Sequence, residues 1–148
     1  MLNLLNGIKI LDFTTVVLGP YATQILGDLG AEIIKVEPLG GDVFRYVRPG
    51  HGESMGANFI NCNRNKQSIA IDLSTDEGKA AVRKLVGSTD VVVHNMRPKS
   101  AKKLGIGFED LKAVKPDLIY CYASGFGQAG PMSLPMTTPF RRCVALPI

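Results

Sequence analysis

The densest group of chemistry-bearing side chains in this chain of 148 residues is Arg97, Lys99, Lys102 and Lys103. Cations at this spacing either meet an anionic ligand or form the solvated face of a helix, and the sequence leaves both open. No aromatic residues interleave with them, which counts against a groove for single-stranded nucleic acid. Gly19-Pro20 stands where a helix would open after an apolar run, so backbone N–H groups there would face an anion. No G-x-G-x-x-G stands at that first turn, the match Gly125-Phe-Gly-Gln-Ala-Gly130 falling instead after the fifth apolar run, and G-x-x-x-x-G-K-[ST] does not occur, which disfavours a nicotinamide or nucleoside-triphosphate enzyme. Ser124-Gly125-Phe126-Gly127 lacks the G-x-S-x-G elbow of a nucleophilic serine. His51 and His94 are far apart, with no Cys or Glu at ligand spacing, so no metal site is expected. Asp12 and Asp72 fall inside strand-like runs, where a structural hydrogen bond to a neighbouring loop is the expected role. Cys121 reads as a small core residue. Together with Cys62 and Cys143 it makes an odd, sparse set that argues against a disulfide framework.

The elements that must position these residues follow from short apolar, β-branched runs bounded by turn signals. Strands are expected at Ile8–Phe13, Ala31–Val36, Ser68–Leu73, Asp90–His94 and Leu118–Tyr122. Pro20–Leu29 has helical spacing at Ala22, Ile25, Leu26 and Leu29, with Gly30 as its stop. Ser74-Thr75-Asp76-Glu77 opens a second helix over Thr75–Val86, with Ser74 as N-cap and Ala81, Val82, Leu85 and Val86 as its buried stripe. Shorter helices fit Lys99–Leu104 and Phe108–Val114. The stretch from Gly40 to Phe59 reads as one long loop. Strands buried on both faces and alternating with helices predict an α/β fold, a Rossmann-like parallel sheet with flanking helices. Ligands of such sheets bind beyond the carboxyl ends of the strands. That places the interest on Thr14–Tyr21, Glu37–Gly41, Ser74, Asn95–Lys99 and Ser124–Gln128.

Composition narrows the class further. Apolar residues make up 45% of the chain and charged ones 20%, which excludes a disordered chain, a collagen-like repeat and a membrane bundle. Seventeen Lys+Arg against thirteen Asp+Glu leave a net charge of +4, suited to an anionic ligand. Met1–Gly7 lacks the basic start of a signal peptide, and no apolar run is long enough to cross a bilayer, so a cytoplasmic address is expected. All the acids lie at or before Asp117. The last stretch, from Met132, carries three prolines and no helical or alternating period.

Taken in order, several segments carry a resemblance. They are Gly7-Ile-Lys-Ile-Leu-Asp-Phe-Thr14, Gly19-Pro-Tyr-Ala-Thr-Gln24, Asp28-Leu-Gly-Ala-Glu-Ile-Ile-Lys-Val-Glu-Pro38, Asn63-Arg-Asn-Lys-Gln-Ser-Ile-Ala-Ile-Asp-Leu73, Asp90-Val-Val-Val-His-Asn95, Arg97-Pro98 and Ser124-Gly-Phe-Gly-Gln128. Over about residues 5 to 131 the chain resembles the class III CoA-transferase family, which includes the formyl-CoA transferases, the carnitine and bile-acid CoA enzymes and the α-methylacyl-CoA racemases. The resemblance implies an incomplete CoA-binding large domain, coenzyme A or acyl-CoA as substrate with no permanently bound cofactor, and a carboxylic acid as the second substrate. It implies no nucleic acid or membrane partner, and an interlocked homodimer for the full-length parent. By position, the CoA contacts it implies are Val17 and Leu18 after the first strand and Ile71, Asp72, Leu73 and Ser74 after the third. Asn95, Met96, Arg97 and Lys103 follow the fourth, and Ser124, Gly125, Phe126 and Gly127 the fifth. Arg97 and Lys103 would meet the phosphates, and Gly125 and Gly127 would allow close backbone approach. Val17 stands where the formyl-CoA transferases have glutamine, which disfavours formate or oxalate.

Catalysis in that family needs an aspartate that attacks the acyl thioester, giving an acyl anhydride and then an aspartyl-CoA thioester. It follows the Gly125-Phe-Gly-Gln-Ala-Gly-Pro131 type of segment in a Y-D-x-x-x-Q-A-x-x-G pattern, yet no acid follows here. The genetic code offers a reason. A codon joining the last base of Met136 to the first two of Thr137 is GAC, aspartate, whatever the codon usage. The same shift allows tyrosine from Pro135 into Met136 and alanine from Leu134 into Pro135. It also allows glutamine from Phe140 into Arg141, alanine from Arg141 into Arg142 and glycine from Val144 into Ala145. The whole pattern fits the other frame at the family's spacing. The codon before the tyrosine cannot encode glycine, which sets aside the racemases' G-H-D and favours the transferase branch. Residues 1–133 therefore read as the N-terminal part of the CoA-binding domain, and 134–148 as an out-of-frame tail with the nucleophile lost by frameshift. The expected protein is an inactive fragment of a CoA-transferase. The alternatives are a non-catalytic CoA- or nucleotide-binding fragment, a remnant unable to fold, or a member of the racemase branch.

Overall fold

The structure is a computed structural model, and it describes residues 3–125 and 127. Five parallel strands form its main sheet: β1 (Lys9–Phe13), β2 (Glu32–Glu37), β5 (Lys66–Ala70), β6 (Val91–His94) and β7 (Ile119–Tyr122). Their spatial order is β5-β2-β1-β6-β7. The chain thus winds outward from β1 in one direction, returns, and winds outward in the other, the arrangement of a Rossmann-like sheet. Phe13 pairs with His94 at the point where the winding reverses.

Alternation along the strands separates two layers. Leu11, Phe13, Val36 and Val92 face α3 (Asp76–Gly87), α4 (Pro98–Lys103) and α5 (Phe108–Lys112), packing with Val82, Val86, Ala101 and Leu111. Ile10, Ile33 and Val93 face the other way, against Leu26 of α1 (Leu18–Asp28). β-Branched residues dominate β2 and β6, where neighbours on both sides reward a stiff side chain.

Several expectations need correction. The segment from Gly40 to Phe59 is not a bare loop. It holds a 3₁₀ turn at Val43–Tyr46, a two-residue hairpin of β3 (Gly50–His51) and β4 (Met55–Gly56), and the start of α2 (Ala57–Asn63). Such short elements leave no periodic signal. The third main-sheet strand lies at Lys66–Ala70 rather than Ser68–Leu73, and it is an exposed edge, not buried on both faces. Asp72 is consequently past its end. On α1 the expected stripe holds only in part: Leu26 packs against the core, while Ala22 and Ile25 are exposed and Thr23, Gln24 and Gly27 are buried in their place. The layer beneath that helix is partly polar, because the buried Asp12 and Lys35 lie in it beside Ile10 and Ile33. Thr75, not Ser74, caps α3, its Oγ1 accepting from the Gly78 amide at 3.0 Å. Ala81 is exposed and Leu85 half-buried, so of the four expected residues Val82 and Val86 are the fully buried ones, in line with the buried Gly78. Cys121 is exposed, on the face of β7 opposite the Tyr120 and Tyr122 side. Among the described residues, no helix is long and apolar enough to cross a membrane.

Candidate functional site

The carboxyl ends of β1, β2, β5 and β6 open onto one cavity of about 370 Å³. Its walls are Phe13, Val36, Pro38, Leu39, Ile71, Leu73, Met96 and Leu104, with Thr15, Glu37, Asp72 and Ser74 as the polar lining groups. An apolar pocket with a few polar groups, placed where the winding of a parallel sheet reverses, is where such folds bind small ligands. The turn from β5 into α3 shapes one side. Asp72 accepts from the Ser74 amide at 2.9 Å and from the Ser74 hydroxyl at 2.6 Å. The Ser74 bonds hold the Asp72 carboxyl below its usual range. A Cβ on Gly78 would lie 1.9 Å from the Asp72 carbonyl oxygen, so glycine is required for α3 to approach.

On the facing side, charges hold the exit of β1. Asp12 is buried and accepts from the Thr14 amide at 2.8 Å, the Thr23 hydroxyl at 2.6 Å and Lys66 Nζ at 3.0 Å. Burial alone would raise its carboxyl, but the charges of Lys66 and Lys35 and hydrogen bonds from the Thr14 and Thr23 hydroxyls outweigh that and lower it. Asp12 thus has the structural role expected of it. Lys35 Nζ donates to the Thr14 carbonyl at 2.7 Å and pairs with Asp42 at 3.0 Å, tying β1, β2 and the 3₁₀ turn together.

Glu37 ends β2, the place from which an acidic residue in dinucleotide enzymes accepts ribose hydroxyls. Here its two oxygens are filled: Arg45 donates twice, at 2.7 and 2.6 Å, Ser68 donates at 2.6 Å and the Asp42 amide at 2.8 Å. Burial alone would raise the carboxyl, but these four donors bring it down to about 2. A carboxylate with four donors has no acceptor position left for a ribose. The lack of a glycine fingerprint at the turn after β1 therefore goes with a filled carboxylate at the end of β2.

Of the residues singled out in the sequence, Ile71, Asp72, Leu73, Ser74 and Met96 meet in this cavity. Val17 and Leu18 stand at the start of α1, where Val17 is the N-cap without a side-chain cap bond. Asn95 adjoins the cavity through Thr15, to which it is hydrogen-bonded. Arg97 is the N-cap residue of α4 and Lys103 its last residue, both exposed and outside the cavity lining. Ser124, Gly125 and Gly127 follow β7, where the Gly127 amide donates to Ser124 Oγ at 3.0 Å. Phe126 lies outside the described residues. Pro38 and Leu39 fall in the Glu37–Gly41 stretch that the sequence marks, whereas the wall residues Phe13, Val36 and Leu104 are not marked by it. Their apolar character reads as core, and only their position at strand ends or beside α4 could have marked them.

The comparisons with known proteins bear on this geometry directly. Residues 5–136 match CoA-transferase family III. The chain belongs to that family. It is 45% identical over 130 residues to the succinyl-CoA:glutarate CoA-transferase of Mus musculus, covering 87% of this chain and 30% of the mouse protein. It is 42% identical to the succinyl-CoA:mesaconate CoA-transferase of Haloarcula hispanica, covering 83% of this chain and 32% of that protein. Among solved structures, a CAIB/BAIF family protein from Brucella suis superposes with a TM-score of 0.82 at 42% identity, covering 86% of this chain and 35% of the other. The chain thus spans about a third of the length of its family III relatives.

Proposed function

We propose that this chain is the coenzyme A-binding N-terminal part of a cytoplasmic enzyme that moves coenzyme A between carboxylic acids. The observation that carries this reading is the cavity itself: in a chain of family III, five of the residues expected to contact coenzyme A converge there. Its apolar walls suit a flat purine ring, with Arg97 and Lys103 at the two ends of α4 as cations for the phosphates. In the complete enzyme an aspartate carboxylate would displace the CoA thiolate from the donor, forming a mixed anhydride. The thiolate would then attack the aspartyl carbonyl and release the first carboxylate. The acceptor carboxylate would reverse both steps. The acyl group is not part of the proposal, because the relatives' names differ in it.

In this reading the chain itself does no transfer. The shifted-frame Y-D-x-x-x-Q-A-x-x-G after Pro131 supports a frameshift near Ser133 or Leu134, with residues 134–148 out of frame and the nucleophile lost. The full-length parent would be an interlocked homodimer. Sequencing the gene from codon 125 onward tests this. A one- or two-base change that restores the aspartate and opens a long reading frame is expected. Confirmation of the given frame, with early closure of the other, would leave a coenzyme A-binding remnant. Acyl exchange by the purified 148-residue chain would end the claim of inactivity.

A further inference from the structure

As a bare coenzyme A contact, Asn95 leaves its role in the fold unexplained. Strands β1 and β6 end in register at Phe13 and His94. Beyond them the Asn95 carboxamide continues the ladder. The Thr15 amide donates to Asn95 Oδ1 at 3.1 Å, and Asn95 Nδ2 donates to the Thr15 carbonyl at 2.9 Å. The side chain thus supplies both bonds that a neighbouring peptide group would supply. The next residue is Val16, at φ +74°. Left-handed backbone is an outlier for a β-branched residue and persists only where its surroundings enforce it. Upstream, Thr14 is fixed by Asp12 and by Lys35. Downstream, α1 presses on Thr14 so closely that a Cβ on Gly19 would lie 2.3 Å from its Cβ. Asn95 grips the one residue, Thr15, between that anchor and the left-handed turn.

We propose that Asn95 is a positioning residue of this crevice. Its carboxamide keeps Val16 left-handed, and thereby directs Val17 and the first turn of α1 toward the ligand. Only the ligand-facing half of this statement rests on the coenzyme A reading. A leucine or alanine at position 95 would leave Thr15 without either partner, and the turn would relax to a right-handed or extended conformation.

The first arm of the test uses the isotopically labelled 148-residue chain without ligand. In Asn95→Ala, exchange of the Thr15 amide is expected to speed up roughly tenfold relative to the Ala123 amide, the change that loss of one local hydrogen bond allows. The Val16 backbone shifts should leave their positive-φ values. Unchanged Thr15 protection and Val16 shifts overturn the proposal. If Asn95→Ala unfolds the chain, Val16→Gly combined with Asn95→Ala decides, because glycine holds a positive φ without a clamp. Recovery of the fold supports the proposal, and failure to recover overturns it. The second arm titrates coenzyme A into the wild-type chain and the variants, with weaker binding expected in Asn95→Ala and partial recovery on adding Val16→Gly. Binding unchanged in a variant whose turn has relaxed overturns the ligand-facing half. Absence of coenzyme A binding in the wild-type chain, with the first arm as expected, overturns the coenzyme A reading and leaves the clamp standing.

Discussion

Lys66 Nζ lies 3.0 Å from Asp12 Oδ2, and both side chains are almost wholly withdrawn from solvent. The same ammonium donates to the Pro20 carbonyl at 2.8 Å and to Asn63 Oδ1 at 2.9 Å. One cation therefore joins the edge strand β5, the central strand β1, helix α1 and the end of α2. Removing one partner of such a buried pair leaves an uncompensated charge, which typically costs about 3–5 kcal/mol. Lys66→Met is expected to lose about that much in urea denaturation, and Lys66→Met with Asp12→Asn much less than the sum of the two single losses. Strict additivity of the two substitutions would show that the pair is not coupled.

Acid should weaken the fold in two stages, and His94 accounts for the first. The ring is buried between Tyr120 and Tyr122, at centroid distances of 5.1 and 5.0 Å, and among the described residues neither nitrogen has a hydrogen-bond partner. Burial lowers its pKa from 6.5 to about 4. Below pH 6.5 the unfolded chain therefore takes up a proton that the folded chain refuses. Stability is whole above that pH and falls as the pH drops toward 4, by an amount on the order of 3 kcal/mol for a shift of this size. His94→Phe should flatten the stability curve between pH 6.5 and 4. A curve that keeps its slope in that variant would assign the acid limb elsewhere.

The second stage belongs to Glu37. Its folded carboxyl sits at about 2, against an ordinary 4.5, so its contribution is present above pH 4.5 and lost as the pH falls toward 2. Arg45→Met removes two of its four donors. The variant should lose stability at neutral pH and show a shallower decline below pH 4.5, read by denaturant midpoints across the acid range. A decline as steep as in the wild-type chain would mean that Arg45 does not hold that carboxyl down.

At the start of α3, Thr75 and Ser74 have separate tasks that substitution can resolve. Thr75→Ala removes the cap bond to Gly78 and should cost about 1 kcal/mol. Ser74→Ala leaves the cap and the amide bond to Asp72 intact and removes only the hydroxyl bond to that carboxylate, so its effect should appear in coenzyme A binding more than in stability. Equal stability losses in the two variants would contradict this division.

For the proposed phosphate contacts, Arg97→Ala and Lys103→Ala should each weaken coenzyme A binding by about 1.5–3 kcal/mol, the range for a charge-assisted hydrogen bond. Isothermal titration against Lys112→Ala, a cation of α5 outside the cavity lining, separates a specific contact from general loss of charge. Equal weakening in all three would reduce the contacts to long-range attraction.

Much of this protein was legible in one dimension. Runs such as Ile33-Ile34 and Val91-Val92-Val93 specify strands because β-branched side chains fit a two-sided sheet, and the ordered motifs specify the family. Tertiary structure alone decided which polar residues are structural. Nothing in the sequence marks Lys35 and Lys66 as buried, yet both side chains are, because Asp42, 7 positions on, and Asp12, 54 positions back, meet them in the folded chain. It also decided the face of α1. Periodicity counts apolar residues, but a helix buries whatever complements the layer beneath it, and here that layer carries Asp12 and Lys35. The left-handed Val16 and the Asn95 clamp were equally invisible, since a valine announces no positive φ and a side chain that replaces a peptide group does so only once two distant strands lie side by side.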